Sequence, residues 1–175
     1  TVGRGKKTWF SFEAFKEIID DGIKKGLKAI RLNYINEPLI RKDIIKFIEY
    51  AKKVGVLDIY LSTNGSLLTE NIIYELINSG LTRLQVSIDA TTKETFDKIR
   101  QGGDFNKVVN NTLNFIKIRN ELNVELPTLR VNFVKTELNR HEYDNFIRTW
   151  INKADCIGIQ NLVNIMKPTK NKNSN

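Results

Sequence analysis

Asn36, Glu37 and Pro38 close an apolar run with an amide, an acid and a ring, where further apolar residues would continue a buried strand. A residue before proline is pushed toward extended geometry, so Pro38 keeps Glu37 out of the helix that follows. Proline also has no N–H with which to occupy the neighbouring carboxylate. The Glu37 carboxylate and the backbone carbonyls of Ile35 and Asn36 are thereby left as acceptors at a strand end, and an ammonium group suits them. The other apolar runs close in the same manner. Ser62, Thr63, Asn64 and Gly65 end the second, while Ser87 and Asp89 stand two apart, on one side of a strand, at the end of the third. Arg130 and Asn132 share a face of the fourth, and Gln160 lies near the end of the fifth. Each has a plainer reading: Asn64-Gly65 is a common turn pair, Asp89 can cap a helix, and Arg130 can neutralise an acid. Their recurrence at consecutive strand ends points to one shared ligand site.

The elements that must position these residues follow from the hydrophobic pattern. Runs rich in β-branched and aromatic residues occupy 28–35, 57–62, 82–88, 128–134 and 156–163. Helical patterns separate them: one from Ser11 as N-cap to a stop at Gly26, one over 41–54, and one from Thr69 to Gly80. Thr91 with Glu94, and Asn139 with Glu142, have the spacing of capping boxes. Strands alternating with helices imply an α/β fold with parallel strands, and mostly apolar strands imply burial on both faces. A partial (β/α)6 TIM-like barrel is the expected architecture. A doubly wound open sheet is the alternative, but it calls for a glycine-rich phosphate loop after its first strand, and the chain has none. The glycine pair in Gln101–Phe105 follows a helix and reads as a turn. In such folds ligands gather beyond the carboxyl ends of the strands, where the polar residues above fall.

Composition narrows the partners. The 175 residues, 41% of them hydrophobic, suffice for one buried core. The formal charge of +8 has the sign that draws polyanions. Its lysines, however, are scattered (Lys24, Lys25, Lys52, Lys53) or lie in the polar end, with no aromatic–basic platform, so nucleic acid is not the expected partner. The single cysteine, Cys156, excludes a disulfide framework within the chain and fits a reducing compartment. It reads as a small buried apolar residue, and His141 as a solvated surface residue. No run of about 18 apolar residues exists, so a membrane span is not expected and a cytoplasmic location is. Residues 1–166 read as one core domain and 167–175 as a polar tail or linker.

Taken in order, Ile35-Asn36-Glu37-Pro38, Ser62-Thr63-Asn64-Gly65 and Ser87-Ile88-Asp89 resemble three segments of the radical S-adenosylmethionine (radical SAM) enzymes. These are the G-G-E-P-type segment after the second strand, T-N-G after the third and S-x-D on the fourth. Residues 95–111 resemble the stretch that follows the fourth strand in the branch with C-terminal SPASM extensions. The resemblance implies a partial (β/α)6 barrel that binds S-adenosylmethionine at a 4Fe–4S cluster and cleaves it reductively to a 5′-deoxyadenosyl radical. That radical abstracts hydrogen from a small-molecule or peptide substrate, which would place the whole protein among oxidoreductases or transferases. The electron donor would be of the flavodoxin or ferredoxin kind. By the same resemblance, Asn36, Glu37 and Pro38 hold the amino group of the cofactor's methionine, and Asn64, Ser87 and Asp89 line the pocket around the ribose. Arg130 is a partner for the methionine carboxylate, and Gln160 approaches the adenosine or the substrate. The residue types agree, with acceptors for an ammonium and ribose hydroxyls and a guanidinium for a carboxylate.

The chain departs from the family pattern in two places. Ile35-Asn36 stands where the family has paired glycines, and the C-x-x-x-C-x-x-C loop that ligates the cluster is missing. The expected explanation is that the cluster loop and an upstream strand precede Thr1 and that a further region follows the tail. The rival reading is a cluster-free α/β barrel binding module or a noncatalytic, degenerate homologue.

Overall fold

The structure is a computed structural model that describes residues 10–33 and 36–162. Five strands, β1 (Ala29–Arg31), β2 (Asp58–Thr63), β3 (Arg83–Ser87), β4 (Thr128–Lys135) and β5 (Cys156–Asn161), form one sheet in the order β1-β2-β3-β4-β5. Every neighbouring pair is parallel. A doubly wound sheet reverses its strand order midway, and this one does not. Right-handed crossovers that always advance in one direction put their helices on the same face, which is how a barrel wall is built. The helices are α1 (Phe12–Lys24), α2 (Ile44–Lys53), α3 (Glu70–Asn78), α4 (Lys93–Ile99), α5 (Phe105–Glu121) and α6 (Tyr143–Trp150).

That one-sided cover corrects the expectation of burial on both faces. Ile59, Leu61, Leu84, Val86, Leu129, Val131 and Phe133 are buried with Phe47, Ile48, Ile73, Leu76, Phe115, Phe146 and Trp150 in one core. Alternation sends the residues between them to the opposite face: Tyr60 and Ser62, Gln85 and Ser87, Arg130 and Asn132. The strands therefore carry a period of two, apolar toward the helices and polar toward an open lumen.

Local signals were realised unevenly. Ser11 caps α1 by accepting from the Ala14 N–H, and Gly26 follows the helix at φ +88°. The cap of α4 is Thr92 rather than Thr91. The long gap after β3 holds two helices, with Gly102 in a left-handed turn and Asp104 capping α5, as the glycine pair implied. Asn139 and Glu142 do not form a box. The Glu142 carboxylate, 5% exposed, instead accepts from the Thr91 N–H and the Thr92 hydroxyl of the neighbouring loop. Cys156 is exposed rather than buried, since β5 is an edge strand with no further strand beside it among the described residues. His141 is 66% exposed, as expected of a surface residue. The expected ends of the first and last strands at Tyr34-Ile35 and Val163, the segment 1–9 and the tail 167–175 lie outside the described residues.

At the strand starts, Arg119 of α5 is buried and donates to both oxygens of Asp155, which also accepts from the Leu129 N–H. Burial pushes the Asp155 carboxyl up, but the hydrogen bonds from Arg119 and Leu129 and the Arg119 charge together hold it below the ordinary carboxylate range. A depressed carboxyl contributes stability that is present above its unfolded value and lost as pH falls through its folded one. Asp155→Asn is therefore expected to melt below wild type at neutral pH, with the gap closing below about pH 4. Thermal melts of both proteins across that range check this, and a gap independent of pH would contradict it.

Candidate functional site

Glu37 has extended geometry (φ −87°, ψ 109°), and Pro38 opens a 3₁₀ turn, Pro38–Ile40, as the proline argument requires. The carboxylate, however, is not left idle. Oε1 accepts from the Leu39 N–H at 3.1 Å and the Thr63 hydroxyl at 2.7 Å, and Oε2 accepts from the Asn64 N–H at 2.7 Å. Leu39, one residue beyond the proline, supplies the local donor that Pro38 lacks. Glu37 thus ties the segment after β1 to the end of β2. A carboxylate offers about four acceptor positions, so room for one ligand donor remains.

The Asn64-Gly65 pair is a turn and a wall of the site at once. Asn64 Oδ1 accepts from the Ser66 N–H at 2.9 Å, and Thr63 Oγ1 accepts from the Gly65 N–H at 3.1 Å. Gly65 sits at φ +77°, and a Cβ there would lie 3.0 Å from Val86 Cγ1 and 3.1 Å from Val108 Cγ1, so both conformation and space demand glycine.

Of the residues singled out by sequence, Asn36, Glu37, Ser62, Thr63, Asn64 and Ser87 meet in one cleft of about 240 Å³ at the carboxyl ends of the strands, joined by Arg100. The Ser87 hydroxyl has no hydrogen-bond partner among the described residues. Pro38 is buried and lines a neighbouring cleft of about 450 Å³ with Phe10, Phe15, Arg31 and Phe47. Asp89 does not share a face with Ser87. β3 ends at Ser87, and Asp89 sits at φ +63°, a left-handed conformation that turns its side chain away. Its carboxylate is buried, accepting from the Val134 N–H at 2.7 Å on Oδ1 and from Arg100 Nε and Nη2 on Oδ2. Arg100 escaped the sequence reading because no periodicity marks it. The one clue was its place at the end of a short helix beside a glycine pair.

Arg130 and Gln160 lie in the lumen, in a third cleft of about 410 Å³ shared with Arg31, Tyr60, Arg83 and Gln85. The Tyr60 ring faces the Arg31 guanidinium at 4.9 Å and that of Arg83 at 5.2 Å. Gln85 accepts from the Tyr60 hydroxyl and donates to Ser62 Oγ, which joins this cleft to the one above. Arg130 Nε and Asn132 Oδ1 are buried without a hydrogen-bond partner among the described residues. A Cβ on Gly158 would overlap both groups, so the missing side chain is what gives them room. Leaving such groups unmet costs about 1–3 kcal/mol each, and a polar ligand would relieve that cost.

The residues suit one kind of group and not another. Acceptors, a free hydroxyl and unmet polar atoms in adjoining clefts fit a polar organic ligand with cationic and hydroxyl groups. A cluster held by several thiolates does not fit, since the chain has one cysteine. Among the described residues no three acidic, His or Cys side chains gather to hold a metal ion. Nor, among those residues, is any helix long and apolar enough to cross a membrane.

The family model described as the Radical SAM superfamily matches residues 2–131. A protein described as a probable GTP 3′,8-cyclase from Methanocaldococcus jannaschii is 39% identical over 116 residues, covering 66% of this chain and 36% of that protein. The GTP 3′,8-cyclase of Petrotoga mobilis is 29% identical over 144 residues, covering 81% of this chain and 42% of that protein. The chain thus spans well under half the length of these curated relatives. Among solved structures, Streptococcus suis SuiB bound to S-adenosylmethionine superposes with a TM-score of 0.67 at 16% identity, covering 89% of this chain and 34% of that one. Methylornithine synthase (PylB) gives a TM-score of 0.65 at 15% identity, covering 89% of this chain and 45% of that one. At these identities the likeness to both structures is one of fold.

Proposed function

Because the chain belongs to the radical SAM superfamily, we propose that its strand-end cleft holds S-adenosylmethionine and that the chain is the central part of an enzyme of that family. The observation that carries this is the convergence of Asn36, Glu37, Asn64 and Ser87, from three consecutive strand ends, on one cleft. Glu37, fixed by three protein donors and with an acceptor position to spare, receives the methionine ammonium together with the Asn36 segment. Pro38 fixes the geometry of that segment from behind. Ser87 and Asn64 face the ribose. Asp89 supports the wall through Arg100 instead of reaching the ligand itself. Arg130 and Gln160 meet the adenosine or the substrate from the lumen.

S-adenosylmethionine bound at a reduced 4Fe–4S cluster supplies the 5′-deoxyadenosyl radical with which the family abstracts hydrogen from its substrates. This chain's share is binding, orientation and exclusion of water. The thiolates for a cluster are not among its residues. The substrate is a small molecule or peptide taken into the arginine-lined lumen, the reductant is flavodoxin- or ferredoxin-like, and the setting is cytoplasmic. Residues 1–166 form the core portion and 167–175 a polar tail or linker.

The single cysteine favours a second reading, a cluster-free binding module or noncatalytic homologue. Anaerobic treatment of the full chain with iron and sulfide, followed by iron counting, is expected to yield no cluster, and about four irons per chain would contradict that expectation. Equilibrium dialysis of the full chain against labelled S-adenosylmethionine tests the cleft. Saturable binding at one site that is lost in Ser87→Leu is the expected result. Binding that Ser87→Leu leaves unchanged would overturn the assignment.

A further inference from the structure

Three guanidiniums line the lumen cleft, and two of them lack an acid. Arg83 is bound: its Nε and Nη2 donate to the two oxygens of Asp58, which also accepts from the Thr82 hydroxyl. Neither Arg31 nor Arg130 has a hydrogen bond or an ion pair with any described residue. This sets them apart from Arg41, Arg100 and Arg119, each of which has an aspartate partner. No acidic side chain lines the cleft, so three arginines against Asp58 leave two positive charges in excess. The register sets how far apart those charges stand. Arg31, Tyr60 and Arg83 form one inward-facing row, and Gln85 and Arg130 belong to the next. Arg31 on β1 and Arg130 on β4 are three strand spacings apart, roughly 14 Å along the sheet. The Tyr60 ring and the Gln85 amide, joined by a hydrogen bond, lie between them. Arg130 is held to its own side by a glycine. A Cβ on Gly158 would stand 2.2 Å from its Nε and 2.4 Å from its Nη2, so the guanidinium lies against bare β5 backbone.

Like charges on two sides of one cleft, with no acid between them, call for two anionic groups set apart. The guanidinium fork matches a carboxylate and a phosphoryl group alike. We infer that the lumen cleft takes an elongated dianion with an oxyanion at each end, that Arg31 receives one end and Arg130 the other, and that Gly158 keeps Arg130 in place to do so. The middle of the ligand lies over the Tyr60 ring. That the dianion is the substrate rests on the reading of the lumen as the substrate's place; that the cleft binds it does not.

Calorimetric titration of the full chain at fixed ionic strength, with straight-chain α,ω-dicarboxylates of increasing length and the monocarboxylate of each length, tests this. Affinity is expected to peak at one length and there to exceed that of the monocarboxylate by roughly tenfold or more. Diphosphonates of the same lengths are titrated beside them, and the tighter series at the optimum identifies the oxyanion. Arg31→Gln and Arg130→Gln should each bring the diacid within about threefold of the monoacid. Neither side chain has a protein partner to lose, so both variants should melt close to wild type. Gly158→Ala removes no charge, yet it should act like Arg130→Gln by displacing the guanidinium, which attraction to net charge alone would not produce. Lys117→Gln, on the exposed side of α5, removes a charge and should keep the length optimum. Diacids no tighter than monoacids at any length, inorganic phosphate tighter than every diacid, or a preference that survives in both arginine variants overturns the inference. Arg31 does not line the strand-end cleft, so Arg31→Gln should bind S-adenosylmethionine as wild type does. A wild type with the diacid optimum and no affinity for S-adenosylmethionine overturns the cleft reading alone and leaves the dianion site standing.

Discussion

Glu37→Ala is expected to lower the stability of the chain by about 2–4 kcal/mol and to remove S-adenosylmethionine binding. Three donors from two segments converge on this carboxylate, and hydrogen bonds to a charged group contribute about 1.5–3 kcal/mol each before water replaces part of the loss. The Asn64 N–H and the Thr63 hydroxyl border the open cleft, so they regain water and keep the figure below the full sum. Glu37→Gln retains one carbonyl acceptor and should lose roughly half as much. Urea titrations of the three proteins read this directly. An alanine variant within about 0.5 kcal/mol of wild type would mean that the tie between the segment after β1 and the end of β2 contributes little.

The second large effect is expected at Asn139, which has no solvent exposure. Its Nδ2 donates to the Asp89 carbonyl at 2.8 Å and the Val134 carbonyl at 2.9 Å, and its Oδ1 accepts from the Thr136 N–H at 2.7 Å. Asn139→Leu keeps the branched shape and the number of heavy atoms and removes every polar atom, so the loss is not that of a cavity. With buried backbone groups left unmet at about 1–3 kcal/mol apiece, a total of roughly 3–5 kcal/mol follows. Because Asn139 holds the backbone of Asp89, amide hydrogen exchange should accelerate first at residues 89–92 and 134–136. Exchange that rises evenly through the sheet would show that Asn139 supports the fold in general rather than the Asp89 turn.

The strands and their parallel order were legible because β-rich runs alternate with helical faces, and the strand-end polar residues were legible because such folds place ligands there. What the sequence hid is long-range or conformational. The capping-box spacing at Asn139 and Glu142 was real, yet each side chain found better partners in the loop after β3, which no local pattern encodes. The even spacing of Ser87 and Asp89 implied a shared face, and a positive φ at a non-glycine residue broke it. Arg100 could not be linked to Asp89 without the turn that brings α4 back over the strand ends. The same strands that read as mostly apolar, and so as buried on both faces, alternate cleanly once the helices are known to cover one face alone. Cys156 read as buried for the same reason, since an edge strand looks like a central one until its neighbours are counted.

S-adenosylmethionine is proposed to sit between Glu37 and Ser87, in the cleft at the carboxyl ends of β2 and β3. Amide chemical-shift mapping of the full chain with S-adenosylmethionine added to millimolar concentration tests it most directly, because weak binding is still seen and the responding residues are identified. Saturable shifts confined to Asn64–Ser66, Ser87–Ala90 and Arg100 are expected, with little change at residues 119–128 near the strand starts. Shifts concentrated at the strand starts or on the helices, or no shifts at all, would contradict it.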